Sequence, residues 1–378
     1  MHILFLTNEY PYKNEAHGGI GTFIKFLAEQ LIENNIKISV LGVYNIQEDE
    51  TYKLNKIDVY RLKISKWKFA KFYDHKIRIL KCIKEIHKKK QIDIIEGSEL
   101  NFAFFPYKSS YKKVIRLHGG HHFFASEEQR KVNNWKAYQE KISFKKADNF
   151  VAVSNYVGYK TKRLLKNNFT YTTIYNSIDL RPFYKSSYNK EHLYKLLFVG
   201  TVCYKKGIDS LIDAIPIIKK KYPNVVLEII GRDWVDNNGN SYTGLLKKRI
   251  KDIDKHNIKF TGSIPYKDIP RRLEEAQLCV YPSISESFGL TLIEGMAMGK
   301  AIIASNIKPF NEIVGNSNSV LFFKPNSKED ISEKVVHLFS DHKKRLELIE
   351  KSRKHILECF DSDSILEDNI SFYKSILR

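Results

Sequence analysis

Short apolar runs rich in Ile, Val, Leu and Phe alternate along this chain with longer stretches in which apolar side chains recur every three to four positions. In the first half the runs fall at 3–6, 36–41, 57–62, 92–95, 113–117 and 150–153. In the second they fall at 196–199, 225–230, 258–260, 278–281, 301–304 and 320–323. Strands that are apolar throughout, rather than at every second position, belong to parallel sheets covered by helices on both faces. Two such series of about 180 residues each predict an α/β protein of two Rossmann-like, doubly wound domains in tandem. The pattern is weakest around 176–194, where Asn176-Ser177-Ile178-Asp179, an Arg181-Pro182 step and a serine-containing polar stretch read as a linker. The expected organisation is an N-terminal domain over 1–178, a linker over 179–194, a second domain over 195–355 and a helical tail over 356–378. The helical pattern of the tail starts near 334 and breaks near 360–363.

Composition narrows the class. A chain of 378 residues is too long for one hydrophobic core, and its 43% apolar and 28% charged residues are those of a globular protein. The net charge of +20 points to an anionic partner, whether nucleic acid, a membrane surface or a phosphorylated substrate, although Lys is abundant throughout. No apolar run reaches the roughly 20 residues of a membrane span. The opening residues read as a buried first strand rather than a secretory leader. Cys82, Cys203, Cys279 and Cys359 are widely separated, so reduced thiols in the cytoplasm are expected, and neither a disulfide framework nor a zinc site.

In open parallel sheets, ligands bind beyond the carboxyl ends of the strands, so the loops leaving those ends are the places for chemistry. Gly18-Gly19-Ile20-Gly21 follows the first strand and precedes a helical pattern over 22–34; such glycines admit a phosphate to a helix N-terminus, and equally make an ordinary turn. The segment from Gly200 and Thr201 to Lys205-Lys206-Gly207 puts two lysines at another strand end, where they can pair with a diphosphate or simply be solvated. The segment from Pro282 to Gly299 holds Glu286 in a polar turn and Glu294 about one turn into a helix that starts near Gly289. Amides at Gly289, Leu290 and Thr291 can receive a phosphate, and Glu294 can accept both hydroxyls of a ribose diol. A solvated helix residue and a loop cap are the bland readings of the same two glutamates.

The run Glu286 to Glu294 resembles the E-x7-E motif of retaining GT-B glycosyltransferases, and its surroundings resemble glycosyltransferase family 4. Gly18-Gly19 fits the family's N-terminal glycine loop, Val151 to Ser154 its V-x-V-S strand, and Asn176 to Asp179 its linker entry. The segment Gly200 to Gly207 fits G-R-x4-K-G. Phe260-Thr261-Gly262, Pro282-Ser283 and Glu312 follow in order, so the likeness is collinear over roughly residues 1–325. It implies two domains facing a cleft, with the C-terminal helix returning to the N-domain and the nucleotide sugar held mainly by the C-domain. Lys206 would contact the diphosphate. Phe288, Gly289, Leu290 and Thr291, with Gly19, would surround the phosphates, Glu294 the ribose and Glu286 the transferred sugar. His118, in Arg116-Leu117-His118-Gly119, matches a histidine that lies beside the sugar. Glu286, His118 and Lys206 are thus the expected catalytic residues.

The resemblance implies retention without a metal or other cofactor: front-face attack through an oxocarbenium-like state, the leaving phosphate taking the acceptor's proton, and fixed dipoles and lysine stabilising the departing diphosphate. The donor would be an NDP-sugar, UDP favoured over GDP, and the acceptor a saccharide or lipid-linked glycan of a surface polysaccharide. Two departures stand out. Thr201 replaces the arginine that partners the lysine, with Arg232 or Lys205 as substitutes. Gly295 and Lys300 replace an alanine and a proline, read as packing changes.

Other signals are weaker. His118, His121 and His122 lack acidic or cysteine neighbours at a zinc spacing, and Asp252-Ile253-Asp254 and Asp361-Ser362-Asp363 sit away from strand ends, so no metal site is expected. The stretch from Lys63 to Lys90 interleaves lysines with Trp, Phe and Tyr, which suits an anionic membrane at the inner face of the cell membrane, a nucleic-acid patch, or a solvated helix face with a buried aromatic edge. The loops 98–107 and 119–129 are expected to carry acceptor specificity. The competing readings are a sugar-nucleotide epimerase or phosphorylase on the same fold, a non-catalytic sugar-nucleotide binder, and a basic nucleic-acid-binding protein for which only the charge speaks.

Overall fold

The computed structural model describes residues 1–12, 18–65, 71–187, 190–236 and 238–378. His17 of the glycine loop, and Lys66 to Ala70 of the lysine–aromatic stretch, lie outside them. Two compact units are present: Met1–Ile178 with Ser362–Arg378, and Asp179–Asp361.

Unit 1 runs β1 (His2–Leu6), α1 (Gly19–Glu33), β2 (Lys37–Tyr44), β3 (Glu50–Leu54), β4 (Ile57–Lys63), α2 (Lys71–Lys89), β5 (Ile94–Gly97), β6 (Lys112–Leu117), α3 (His121–Glu127), α4 (Asn134–Lys146), β7 (Asn149–Ala152), α5 (Asn155–Leu165) and β8 (Thr172–Thr173). Among the described residues the strands form one sheet in the order β3-β4-β2-β1-β5-β6-β7-β8, parallel except for β3 against β4. Every residue of β1 is buried, because helices cover both faces. Helix α1 starts at Gly19, three residues before the expected Thr22. It turns Phe23, Leu27 and Leu31 into the core at i, i+4 and i+8, and the chain leaves it through Asn35 at φ 60°. Ser154 caps α5 by accepting from the Val157 amide at 3.2 Å. The expected loop over 119–129 is largely helical: α3 begins at His121, its first turn pinned where the His122 amide donates to Glu140 at 3.0 Å.

Unit 2 continues with β9 (Lys195–Val199), α6 (Ile208–Lys219), β10 (Val226–Ile230), α7 (Tyr242–Arg249), β11 (Ile258–Gly262), α8 (Ile269–Glu275), β12 (Leu278–Tyr281), α9 (Leu290–Ala297), β13 (Ala301–Ser305), α10 (Lys308–Val314), β14 (Leu321–Phe323), α11 (Lys328–Ser340) and α12 (His342–Cys359). The described strands form a parallel sheet in the order β11-β10-β9-β12-β13-β14. All six fall on the second series of apolar runs. Lys300 corrects the packing interpretation. It is fully buried and its ammonium donates to Glu191 at 2.6 Å, so this position holds an ion pair inside the core. Gly295 answers to a neighbour, since a Cβ there would stand 2.7 Å from the buried Tyr281 hydroxyl.

The last helix, α13 (Ser362–Ser375), belongs to unit 1, as the expected return of the C-terminal helix requires. Ile365, Asn369 and Tyr373 lie four residues apart on its buried face. Arg116 donates to Glu96 through Nε at 2.7 Å and to Asn369 through Nη2 at 2.7 Å, and the Tyr373 hydroxyl donates to Glu96 at 2.8 Å. All four side chains are buried, so the ion pair loses its Asn369 and Tyr373 hydrogen bonds unless this helix is in place. No helix among the described residues is long and apolar enough to cross a membrane.

Candidate active site

In unit 2 the chain moves from β9 outward to β10 in one direction and to β12 in the other. The carboxyl ends of β9 and β12 therefore form the switch point at which such sheets bind ligands. Two glycines bring neighbouring loops close, Gly207 the β9 loop to the β12 loop and Gly231 the β10 loop to the β9 loop. A Cβ on Gly207, at φ +62°, would stand 2.0 Å from the Pro282 carbonyl oxygen. One on Gly231 would stand 1.7 Å from that of Gly200. The Lys205 carbonyl accepts from the amides of Ile284 at 2.8 Å and Ser285 at 3.2 Å, locking the β9 loop to the β12 loop.

This locking brings Lys206 and Glu286 together. The Lys206 ammonium lies 2.5 Å from Glu286 Oε1, and the Ser283 hydroxyl donates to the same oxygen at 2.8 Å. Burial alone would push the Glu286 carboxyl up, but the charges of Lys206 and Lys205 and the bonds from Lys206 and Ser283 outweigh it. The group stays below the ordinary carboxylate range. Glu286 is therefore an ionised, preorganised acceptor.

Glu294 is held differently. It lies one turn into α9, buried, and its carboxylate accepts from the Tyr266 hydroxyl at 2.9 Å. Burial pushes it up to about 7, against the bond from Tyr266 and the charge of Lys206. Tyr266 has no sequence signal of this role; it is a turn residue 28 positions away that also packs edge-on against Phe183, with ring centroids 6.0 Å apart. Gly289 is the N-cap of α9 with no side-chain cap, so the first amides of that helix, at Leu290 and Thr291, have no intrahelical acceptor. Phe288 is buried beside Phe360. Thr201 is half-buried at the start of the β9 loop. Arg232 is exposed at the end of β10, its carbonyl accepting from the Val202 amide at 2.8 Å. A further pocket opens beyond β10 and β11, between Gly231, Thr243, Lys247, Phe260 and Gly262.

The other expected residues lie in unit 1. There β1 and β5 form the corresponding switch point, and a pocket lies at it, lined by Thr7, Asn8, Ile20, Ser98 and His118. Gly19 is the exposed first residue of α1. His118 follows β6 and is almost wholly buried. Burial, and then the Arg116 charge, lower it to about 3, so the imidazole is neutral. Glu99, which sequence reasoning did not single out, is pushed up to about 8 by burial and by Glu140. Hydrogen bonds from the Glu99, Gly119 and His118 amides oppose that rise. His121 and His122 are engaged inside the unit: His121 Nε2 accepts from the Asn133 amide at 2.8 Å and His122 Nδ1 lies 2.5 Å from Glu140.

A doubly wound unit with an ionised glutamate and a lysine at its switch point, and a second glutamate eight residues on, is the arrangement expected of a GT-B glycosyltransferase. The chain belongs to that group: the model of glycosyl transferases group 1 matches residues 181–355, and that of Glycosyltransferase Family 4 matches residues 17–181. It is a sugar-transferring enzyme of the EC 2.4 class. Among its relatives, an uncharacterized glycosyltransferase of Methanocaldococcus jannaschii is 27% identical, the match covering 94% of this chain and 93% of the relative. The N,N'-diacetylbacillosaminyl-diphospho-undecaprenol alpha-1,3-N-acetylgalactosaminyltransferase of Campylobacter jejuni is 26% identical over 63% of each chain. Among solved structures, Anabaena HepE in complex with UDP-glucose superposes with a TM-score of 0.80 at 17% identity, over 99% of this chain and 100% of that one.

Proposed function

We propose that this enzyme transfers a sugar from a UDP-sugar to a saccharide or lipid-linked glycan during synthesis of a surface polysaccharide, with retention and with no metal or other cofactor. One observation carries the reading: Lys206 and Glu286 meet from two loops at one switch point, and Glu294, on helix α9 that follows, feels the Lys206 charge. In this reading Lys206 and the amides of Leu290 and Thr291 neutralise the departing diphosphate, which is the role a divalent ion fills elsewhere. Glu294 accepts from the ribose diol, and the ionised Glu286 accepts from hydroxyls of the transferred sugar. The leaving phosphate takes the acceptor's proton. The neutral His118 then donates or accepts a hydrogen bond without adding charge. Arg232 is the stand-in for the charge that Thr201 does not supply. The UDP preference is supported by the UDP-glucose bound to HepE, and the lipid-linked acceptor by the name of the Campylobacter relative.

The test is thermal unfolding with UDP, GDP, ADP and CMP, each with and without EDTA. A nucleotide at 100 times its Kd adds about 2.7 kcal/mol, a visible shift. UDP alone raising Tm, equally in EDTA, supports the reading. A shift that vanishes in EDTA overturns metal independence, and a shift with GDP but not UDP overturns the donor.

A further inference from the structure

Unit 1 carries a row of aromatic rings that takes no part in the chemistry above. Tyr73 near the start of α2, Phe104 after β5, and Trp135 and Tyr138 at the start of α4 follow one another with centroids 5.9, 6.1 and 6.0 Å apart. Trp135 and Tyr138 stack at 18°. Tyr73, Trp135 and Tyr138 are 55, 46 and 53% exposed, and Ile77, one turn beyond Tyr73, is 65% exposed. Tyr107 adds another exposed ring, with the Lys146 ammonium 5.0 Å from its centroid. Isolated exposed apolar residues are ordinary; a contiguous set built from three separate segments marks a contact surface.

The charge around the row is predominantly positive, and Asp74, between Tyr73 and Ile77 on α2, is paired with Arg78 at 3.8 Å. Residues 101–112 and 130–146 contain eight lysines and arginines and a single acid, Glu140, which is fully buried against His122. Tyr138, Lys141 and Lys145 stand at i, i+3 and i+7, hence on one exposed face of α4. A neutral glycan would account for the rings and not for the cations. A nucleic acid would account for both and not for the exposed Ile77. An anionic bilayer interface accounts for all three, since Trp and Tyr settle at headgroup depth, aliphatic side chains insert and lysines meet phosphates.

We propose that this face of unit 1 docks on an anionic lipid bilayer, with Tyr73, Ile77, Trp135 and Tyr138 entering the interface and the lysines of α4 resting on the headgroups. The surface thus extends well beyond the 63–90 stretch, of which Tyr73 and Ile77 are the exposed apolar part described. It rests on the proposed function only in that a lipid-linked acceptor would be presented there.

The experiment is flotation of the full chain with vesicles of phosphatidylglycerol and phosphatidylcholine, against phosphatidylcholine alone, at low and moderate salt. Two double variants are compared, Trp135→Ser with Tyr138→Ser and Lys141→Glu with Lys145→Glu, all at exposed positions. The wild type is expected to float with anionic vesicles only, less at higher salt, and each double variant to partition about tenfold more weakly. The UDP-induced rise in Tm, measured on the same samples, should be unchanged. Absence of flotation at low salt, or equal flotation of the variants, overturns the proposal, as does loss of binding to single-stranded DNA or a neutral glucan while flotation persists. Absence of the UDP shift in the wild type bears on the transferase reading alone, so the two failures are distinguishable.

Discussion

The Lys206 ammonium and the Ser283 hydroxyl both donate to one oxygen of Glu286, so the lysine that would meet the diphosphate is already engaged by the carboxylate that would meet the sugar. An entering diphosphate must draw Lys206 away from Glu286. Glu286→Gln is therefore expected to bind UDP several-fold more tightly than the wild type while transferring sugar about a hundredfold more slowly. Lys206→Ala should weaken UDP binding by about tenfold or more, the loss of a charge-assisted contact. Calorimetric titration of UDP together with single-turnover transfer separates the two effects. A Glu286→Gln enzyme with unchanged UDP affinity would sink the competition argument.

In the proposed role of Glu294, nucleotide affinity should depend on pH. Burial holds the Glu294 carboxyl up to about 7, so it exchanges its proton near neutral pH, and ribose hydroxyls donate best to its ionised form. UDP affinity should rise with pH through about 7, the proton being released on binding below that value. The sign for stability is opposite. The raised carboxyl favours the protonated folded state, so its contribution is complete below the unfolded carboxyl value and falls as pH rises through 7. Glu294→Gln should lose the pH dependence of UDP binding. Titrations at pH 6 and 8 in two buffers of different ionisation enthalpy check both the trend and the proton.

Glu99 predicts a stability change at higher pH. It is buried beside Glu140 and raised to about 8, so ionising it above that pH costs the fold. By the same sign rule the Glu99 contribution is lost as pH rises through 8. Glu99→Gln retains an acceptor for the His118 and Gly119 amides without acquiring charge, and its urea midpoint should decline less between pH 7 and 9 than that of the wild type. A parallel decline in both proteins would remove Glu99 as the cause.

Gly231→Ala tests the close approach of the β9 and β10 loops. A Cβ would stand 1.7 Å from the Gly200 carbonyl oxygen, so the loops must separate. A loss of about 2 kcal/mol or more is expected, within the range of strongly strained backbone substitutions, together with weakened UDP binding. Urea unfolding with and without UDP measures it; unchanged stability would show that the loops separate freely.

The twelve apolar runs all became strands, because a strand buried on both faces must be apolar at every position, and that is legible without any partner. Two strands were not visible. β3 is an edge strand whose burial alternates between half-buried and exposed, and the turn that pairs it with β4 uses Asn55 and Lys56, both at positive φ, without the glycine that would announce it. β8 is two threonines long. In the site, the glutamates and Lys206 could be singled out because each occupies a strand-end loop or the first turn of a helix. Tyr266 and Glu191 could not, since their partners Glu294 and Lys300 are fixed by the fold rather than by local spacing. The sequence predicts a loop where α3 stands for a similar reason: the first turn of the helix is secured by Glu140, 18 residues on.

The contribution of α13 to unit 1 has a consequence for how the protein is made. The buried pair of Arg116 and Glu96 is completed by Asn369 and Tyr373, which leave the ribosome only after every residue of unit 2. Until then, unit 1 holds an unfinished polar core, and the order of synthesis cannot be its order of completion. The first unit to emerge is the last to be finished.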